Sequence, residues 1–149
     1  MVGHICRKYV VGRLALPPSV ADVFGGEENI FLGRAPRQVV RDHITVEVSM
    51  SPDNYVLGGT RSSSDPLMIV SFWTLLPSGG IYSTAFNAAV RSADSLLDYF
   101  GSPETYDEGR MNSCVRESSM ELSDPGPAEE LWFRIANFYR VSVEEFVPV

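Results

Sequence analysis

Ten residues at positions 67–76, Leu-Met-Ile-Val-Ser-Phe-Trp-Thr-Leu-Leu, put apolar side chains on both faces of an extended chain, with only Ser71 and Thr74 interrupting. A run this rich in aliphatic and aromatic residues predicts a strand in the middle of a sheet, covered on both sides. The next segment supplies a cover. Phe86, Ala89, Val90, Ala93, Leu96, Leu97 and Phe100 follow helical spacing, while Arg91, Asp94, Ser95 and Asp98 fall on the opposite face. Ser83 or Thr84 suits the first turn as a cap, and Gly101 suits the left-handed position that ends a helix. Pro77-Ser78-Gly79-Gly80 marks the turn between strand and helix. Upstream, Ile44, Val46, Val48 and Met50 alternate with Thr45, Glu47 and Ser49, the period of a strand with one buried face.

The expected fold class is therefore α+β. We expect a single domain over residues 1–149, a mostly antiparallel sheet covered by one long amphipathic helix at about 83–100, and a helical C-terminal segment. Residues 6–16 read as a strand through Tyr9, Val10, Val11, Leu14 and Leu16, ended by Pro17-Pro18. Residues 19–24 read as one helical turn closed by Gly25-Gly26, and Ile30-Phe31-Leu32 as a short edge strand. Residues 51–66 read as a loop, with Tyr55-Val56-Leu57 as a further pairing segment. Residues 102–110 read as a polar connector, and residues 111–122 as another strand. For the C-terminus, Leu131, Phe133, Ile135, Tyr139, Val141 and Val143 suit a long strand. Leu131, Trp132, Ile135, Phe138 and Tyr139 suit a helix, with Ser142 and Glu145 spaced as a capping box for a second one. Helix, tight turn and short helix is the expected arrangement.

No apolar run approaches the roughly 20 residues of a membrane span, and residues 1–11 lack the apolar stretch of a signal peptide. A cytoplasmic location is the expectation. Two cysteines, Cys6 and Cys114, are too few for a disulfide framework and read as small core residues. The net charge of -7 is uneven: residues 1–62 carry seven basic side chains against six acidic, and residues 63–149 carry five against thirteen. So acidic a second half disfavours nucleic acid and anionic membranes as partners across that surface.

Arg34, Arg37 and Arg41, followed by His43, form a candidate anion-binding cluster. On a helix, i, i+3 and i+7 share a side and suit phosphate or carboxylate groups. On an extended chain Arg34 faces away from the other two, and a solvated loop results. The aromatic C-terminal group Trp132, Phe133, Phe138, Tyr139 and Phe146 is a candidate interface, or else an extra core layer. His4, Cys6, His43 and Cys114 lack the paired, close-spaced ligands of a structural zinc site, so neither metal nor cofactor is expected. Gly58-Gly59-Thr60-Arg61-Ser62-Ser63-Ser64 lacks the lysine and spacing of a phosphate-binding loop.

Residues 134–146, Arg-Ile-Ala-Asn-Phe-Tyr-Arg-Val-Ser-Val-Glu-Glu-Phe, resemble the closing helices of phage-repressor helix-turn-helix domains, which implies a helix pair there. Phe31-Leu32-Gly33-Arg34, then Arg41-Asp42-His43-Ile44 and Tyr55-Val56-Leu57 with Gly59-Thr60, resemble a phosphothreonine-binding forkhead-associated domain. That resemblance implies a phosphate contact for Arg34. Tyr82-Ser83-Thr84-Ala85-Phe86-Asn87-Ala88-Ala89, following two strands, is similar to small matrix proteins of negative-strand RNA viruses, which implies self-assembly and contact with membranes and RNA.

The acidic half, the aromatic C-terminus and the lack of catalytic motifs together predict a non-enzymatic protein that works by contact, either with protein partners or with itself as a homo-oligomer. An anion-binding module built on the three arginines, for phosphopeptide or RNA, is the alternative. A third reading is an enzyme with a dispersed site, since many enzymes carry no local motif.

Overall fold

The computed structural model describes residues 2–15, 17–36, 39, 41–49, 53–55, 61–76, 83–98, 103–125 and 131–146. Three helices, α1 (Val2–Leu14), α2 (Pro18–Phe24) and α3 (Thr84–Leu97), accompany eight strand segments. The strands are β1 (Ile30–Leu32), β2 (His43–Ser49), β3 (Asp53–Tyr55), β4 (Arg61–Ser64), β5 (Leu67–Leu75), β6 (Glu104–Tyr106), β7 (Gly109–Pro125) and β8 (Leu131–Glu145). Because β3–β4 prolongs the β2–β5 hairpin, the sheet is six strands wide: β1, β2, β5, β8, β7, β6. Among the described strands only β1 and β2 run parallel, and the sheet curls into a half-barrel.

The continuous apolar run does become the middle of the sheet. β5 pairs with β2 from Leu67↔Ser49 to Trp73↔His43, and with β8 from Leu67↔Arg140 to Leu75↔Trp132. Its inner face (Met68, Val70, Phe72) aligns with Ile44 and Val46 on β2 and with Ile135 and Tyr139 on β8, all buried. Burying each such side chain contributes about 1.5–3 kcal/mol.

The expectation of a sheet covered by one long helix is not met. The chain is mostly sheet, and three short helices share the cover. α3 starts as expected, with Ser83 Oγ accepting the Phe86 N–H at 3.1 Å. It ends at Leu97, and Phe100 and Gly101 lie outside the described residues. Phe24 of α2 locks the helices to the sheet, its ring 5.5 Å from Phe72 and 5.7 Å from Phe86.

Four local expectations also fail. Residues 6–16 do not form a strand. Ile5, Cys6, Tyr9, Val10 and Leu14 fall on one face of α1, and all five are buried. The Val10-Val11 pair favours a strand locally, but the spacing of buried positions is helical and packing prevails. Residues 61–64 form β4 rather than a loop, whereas Val56 and Leu57 lie outside the described residues, as do Met50, Leu16 and the 77–80 turn. The polar connector contains β6, hairpinned onto the start of β7.

The C-terminal segment is not helical either. It is a 15-residue strand, and the repressor-like helix pair does not form. Phe133, Ile135, Asn137, Tyr139, Val141 and Val143 point inward and are buried. Asn137 breaks the apolar alternation, which made the strand pattern hard to see. In the fold its amide donates to the Tyr139 hydroxyl at 3.2 Å and accepts from Ser119 Oγ at 2.8 Å. A mixed sheet carrying three helices is also not the sandwich that a forkhead-associated domain implies.

Candidate interaction surfaces on the sheet

The three helices pack on the inner face, so what the opposite face carries follows from strand parity. That outer face holds His43, Thr45 and Glu47 of β2, Ile69, Ser71, Trp73 and Leu75 of β5, and Trp132, Arg134, Ala136 and Phe138 of β8. None belongs to the apolar cluster packed under the helices, although His43, Thr45, Ser71 and Ala136 are themselves buried.

His43 is the hub of an aromatic group at one end of this face. Its ring lies parallel to Trp73 (7°, centroids 5.8 Å apart) and meets the edges of Phe31 at 5.9 Å and Trp132 at 5.4 Å. The Arg134 guanidinium sits over Trp73, 5.0 Å from the ring centre, at the distance where the aromatic quadrupole attracts a cation. Trp73 Nε1 donates to Thr45 Oγ1 at 2.9 Å. His43 Nδ1 lies 2.9 Å from the Arg41 carbonyl, which selects the tautomer protonated at that nitrogen. Burial holds the imidazole below its ordinary pKa, so it is neutral at pH 7. Next to it, burial raises the Asp42 carboxyl, opposed by the hydrogen bond it accepts from Thr74 Oγ1 at 2.9 Å.

The sequence-predicted anion site is not assembled among the described residues. Arg34 and Arg41 are exposed, and neither has a carboxylate at ion-pair distance among those residues. Arg37 lies outside them. His43 joins the aromatic group instead, and Arg41 meets it only through a backbone carbonyl.

The predicted aromatic interface splits by parity. Phe133 and Tyr139 are core: Phe133 packs 6.3 Å from Phe86, and the Tyr139 hydroxyl donates to Asp94 Oδ1 at 2.8 Å. Trp132 and Phe138 are half-buried on the outer face, and Phe146 is 42% exposed beyond β8. Phe31, Trp73 and Arg134 escaped the sequence reading. Once residues 131–145 are taken as a strand, alternation places Arg134 beside Trp132, so the signal was present.

Among the described residues, the sheet's two ends are open. β7 runs for 17 residues, but β6 pairs with its outer side only from Gly109 to Met111. Beyond that, among the described residues, no strand covers the outer side of β7. Asp98 Oδ1 caps one edge group, the Arg116 N–H, at 2.9 Å. Val115 is 41% exposed on this edge and Met120 47%. At the far end, β1 stops at Leu32, and Gly33 turns away with φ +82°, its N–H bonded to the Val46 carbonyl at 2.8 Å. A solvent-open groove of about 540 Å³ remains there, lined by Gly3, Leu32, Gly33, Val46, Glu47 and Val48.

Cys6 and Cys114 are inner-face core residues, while His43 lies on the outer face, so no cysteine–histidine pair forms between them. Burial pushes both thiols up to about 12, which removes the thiolate at neutral pH. Among the described residues, no three His, Cys, Asp or Glu groups come together as metal ligands. No helix among them is long and apolar enough to cross a membrane.

No family model and no curated protein matches the chain. Among solved structures it is similar to a chain of the "Virion of native gene transfer agent (GTA) particle", with a TM-score of 0.59. The likeness covers 96% of this chain and 97% of that one at 14% sequence identity. At that identity the likeness is one of fold.

Proposed function

We propose that this chain is a non-enzymatic structural subunit that assembles, with itself or with partner proteins, into a virion-type particle. The observation carrying this reading is the end-to-end fold match to a chain of a gene transfer agent virion, in which each chain is covered almost completely. The surfaces suit such a role. The half-buried Trp73, Trp132 and Phe138 of the outer face, exposed Leu75, and sheet ends that are open among the described residues supply contact area for association.

The test is fractionation of a native extract on a density gradient, with the chain followed by antibody, alongside sedimentation of the purified full chain over a range of concentrations. Recovery in the particle fraction, with a mass above the 16.5 kDa monomer, supports the assignment. A folded chain that is monomeric throughout and absent from every particle fraction overturns it.

A further inference from the structure

We infer that the outer face of the sheet carries an acid-operated latch, in which one proton taken up at His43 Nε2 unseats the imidazole from the three rings that hold it. The latch goes beyond the assembly reading and stands whether or not the chain assembles.

His43 is 5% exposed, while the rings around it, Phe31, Trp73 and Trp132, are half-buried. Those rings come from β1, β5 and β8, and the imidazole on β2 touches all three. It is the piece that ties the four strands together on this face. Its Nδ1 is committed to the Arg41 carbonyl, which leaves Nε2 as the atom that accepts a further proton. Among the described residues Nε2 has no hydrogen-bond partner, so the new N–H gains no acceptor from them.

The groups facing the ring pull both ways. Burial opposes an imidazolium most strongly, while the Arg41 carbonyl and the Asp42 carboxylate favour it. Asp42 is already engaged, with Oδ1 accepting from Thr74 Oγ1 at 2.9 Å. Phe31 of β1 and Trp132 of β8 bring no charge. The face of Trp73 attracts cations, but register places Arg134 on the strand beyond it, its guanidinium 5.0 Å from the ring centre. A protonated His43 therefore leaves Trp73 between two positive charges. The folded state resists a proton that the unfolded chain takes up from pH 6.5 downward. The latch is thus complete above that pH and fails as pH falls through the lowered value.

The chain's two tryptophans both touch His43, and its other histidine, His4, lies on α1. Tryptophan emission of the purified full chain, titrated from about pH 8 to about pH 5, therefore reads this imidazole. Wild type and His4→Gln should show one step with its midpoint below pH 6.5 and a shift of the emission maximum to longer wavelength, as the indoles gain water. His43→Gln should show no step. The wild-type denaturant midpoint should fall between pH 7 and pH 5.5, and less so in His43→Gln. The imidazole Cε1–H proton resonances, two in wild type and one in His4→Gln, give the His43 titration directly even where His43→Gln does not fold. A flat wild-type emission curve, an equal step in His43→Gln, or a His43 midpoint at or above 6.5 overturns the latch. A His43 proton resonance that titrates while the emission maximum stays fixed overturns it as well, because the ring then takes its proton in place.

Discussion

The Tyr139 hydroxyl donates a hydrogen bond to Asp94 Oδ1 across 2.8 Å, joining the central strand β8 to helix α3. The same hydroxyl accepts from Asn137 Nδ2, and Asp94 also faces Arg116 of β7 at 3.6 Å. Burial, first of all, and then the Asp94 carboxylate raise the Tyr139 pKa, so the phenol stays protonated and donating.

Tyr139→Phe removes this donor while keeping the ring. The expected loss is about 1–2 kcal/mol, since the half-buried Asp94 carboxylate loses a donor and the buried Asn137 amide loses an acceptor. Urea unfolding measures it. An unchanged midpoint would mean that the bond between strand and helix contributes nothing.

Phe133 and Trp132 are neighbours in sequence on opposite faces of β8. Phe133→Ala opens a hole beside Phe86 in the core and should cost about 3–5 kcal/mol. Trp132→Ala, on the half-buried outer face, should cost less than half of that. Equal losses would contradict the assigned parity.

Gly109 begins β7 where the sheet approaches α1. A Cβ there would collide with the Glu144 carbonyl and sit 2.8 Å from Ile5 Cδ1. The backbone oxygen cannot move aside cheaply, so Gly109→Ala should destabilise by about 1–3 kcal/mol. Gly12→Ala has open space and is the control.

Alkaline pH should unfold the protein through its thiols. Burial raises Cys6 and Cys114 from 9.0 to about 12, so above pH 9 the unfolded chain releases protons that the folded chain retains. Their stabilisation is therefore complete below pH 9 and is lost as pH climbs toward 12. Each thiol contributes a slope of about 1.4 kcal/mol per pH unit in that window. Denaturant midpoints at pH 8, 9 and 10 reveal the decline, and Cys6→Ala with Cys114→Ala should flatten it.

Much of the inner sheet was legible because period and burial agreed there. The 67–76 run, the alternation from Ile44 and the cap at Ser83 needed no tertiary information to interpret. The ends of the chain were misread for physical reasons. In α1, Val10-Val11 and the following prolines spoke locally for a strand, while Ile5, Cys6, Tyr9 and Leu14 carried the helical spacing. In β8, buried Asn137 looked like a solvent-facing helix position because its partners, Ser119 and Tyr139, are supplied only by the folded sheet. The contact surfaces were legible in part. Trp132 and Phe138 stood out as aromatics, but their separation from Phe133 and Tyr139 required knowing that residues 131–145 are extended.

Although β8 follows every other element in sequence, it lies between β5 and β7. Until it threads into place, the amino-terminal hairpin and the β6–β7 arm share no ladder, and each displays an unzipped margin. Folding on the ribosome must therefore wait for β8 to emerge. Cutting away residues 128–149 should remove the keystone of the sheet and abolish the native state, leaving no trimmed domain behind.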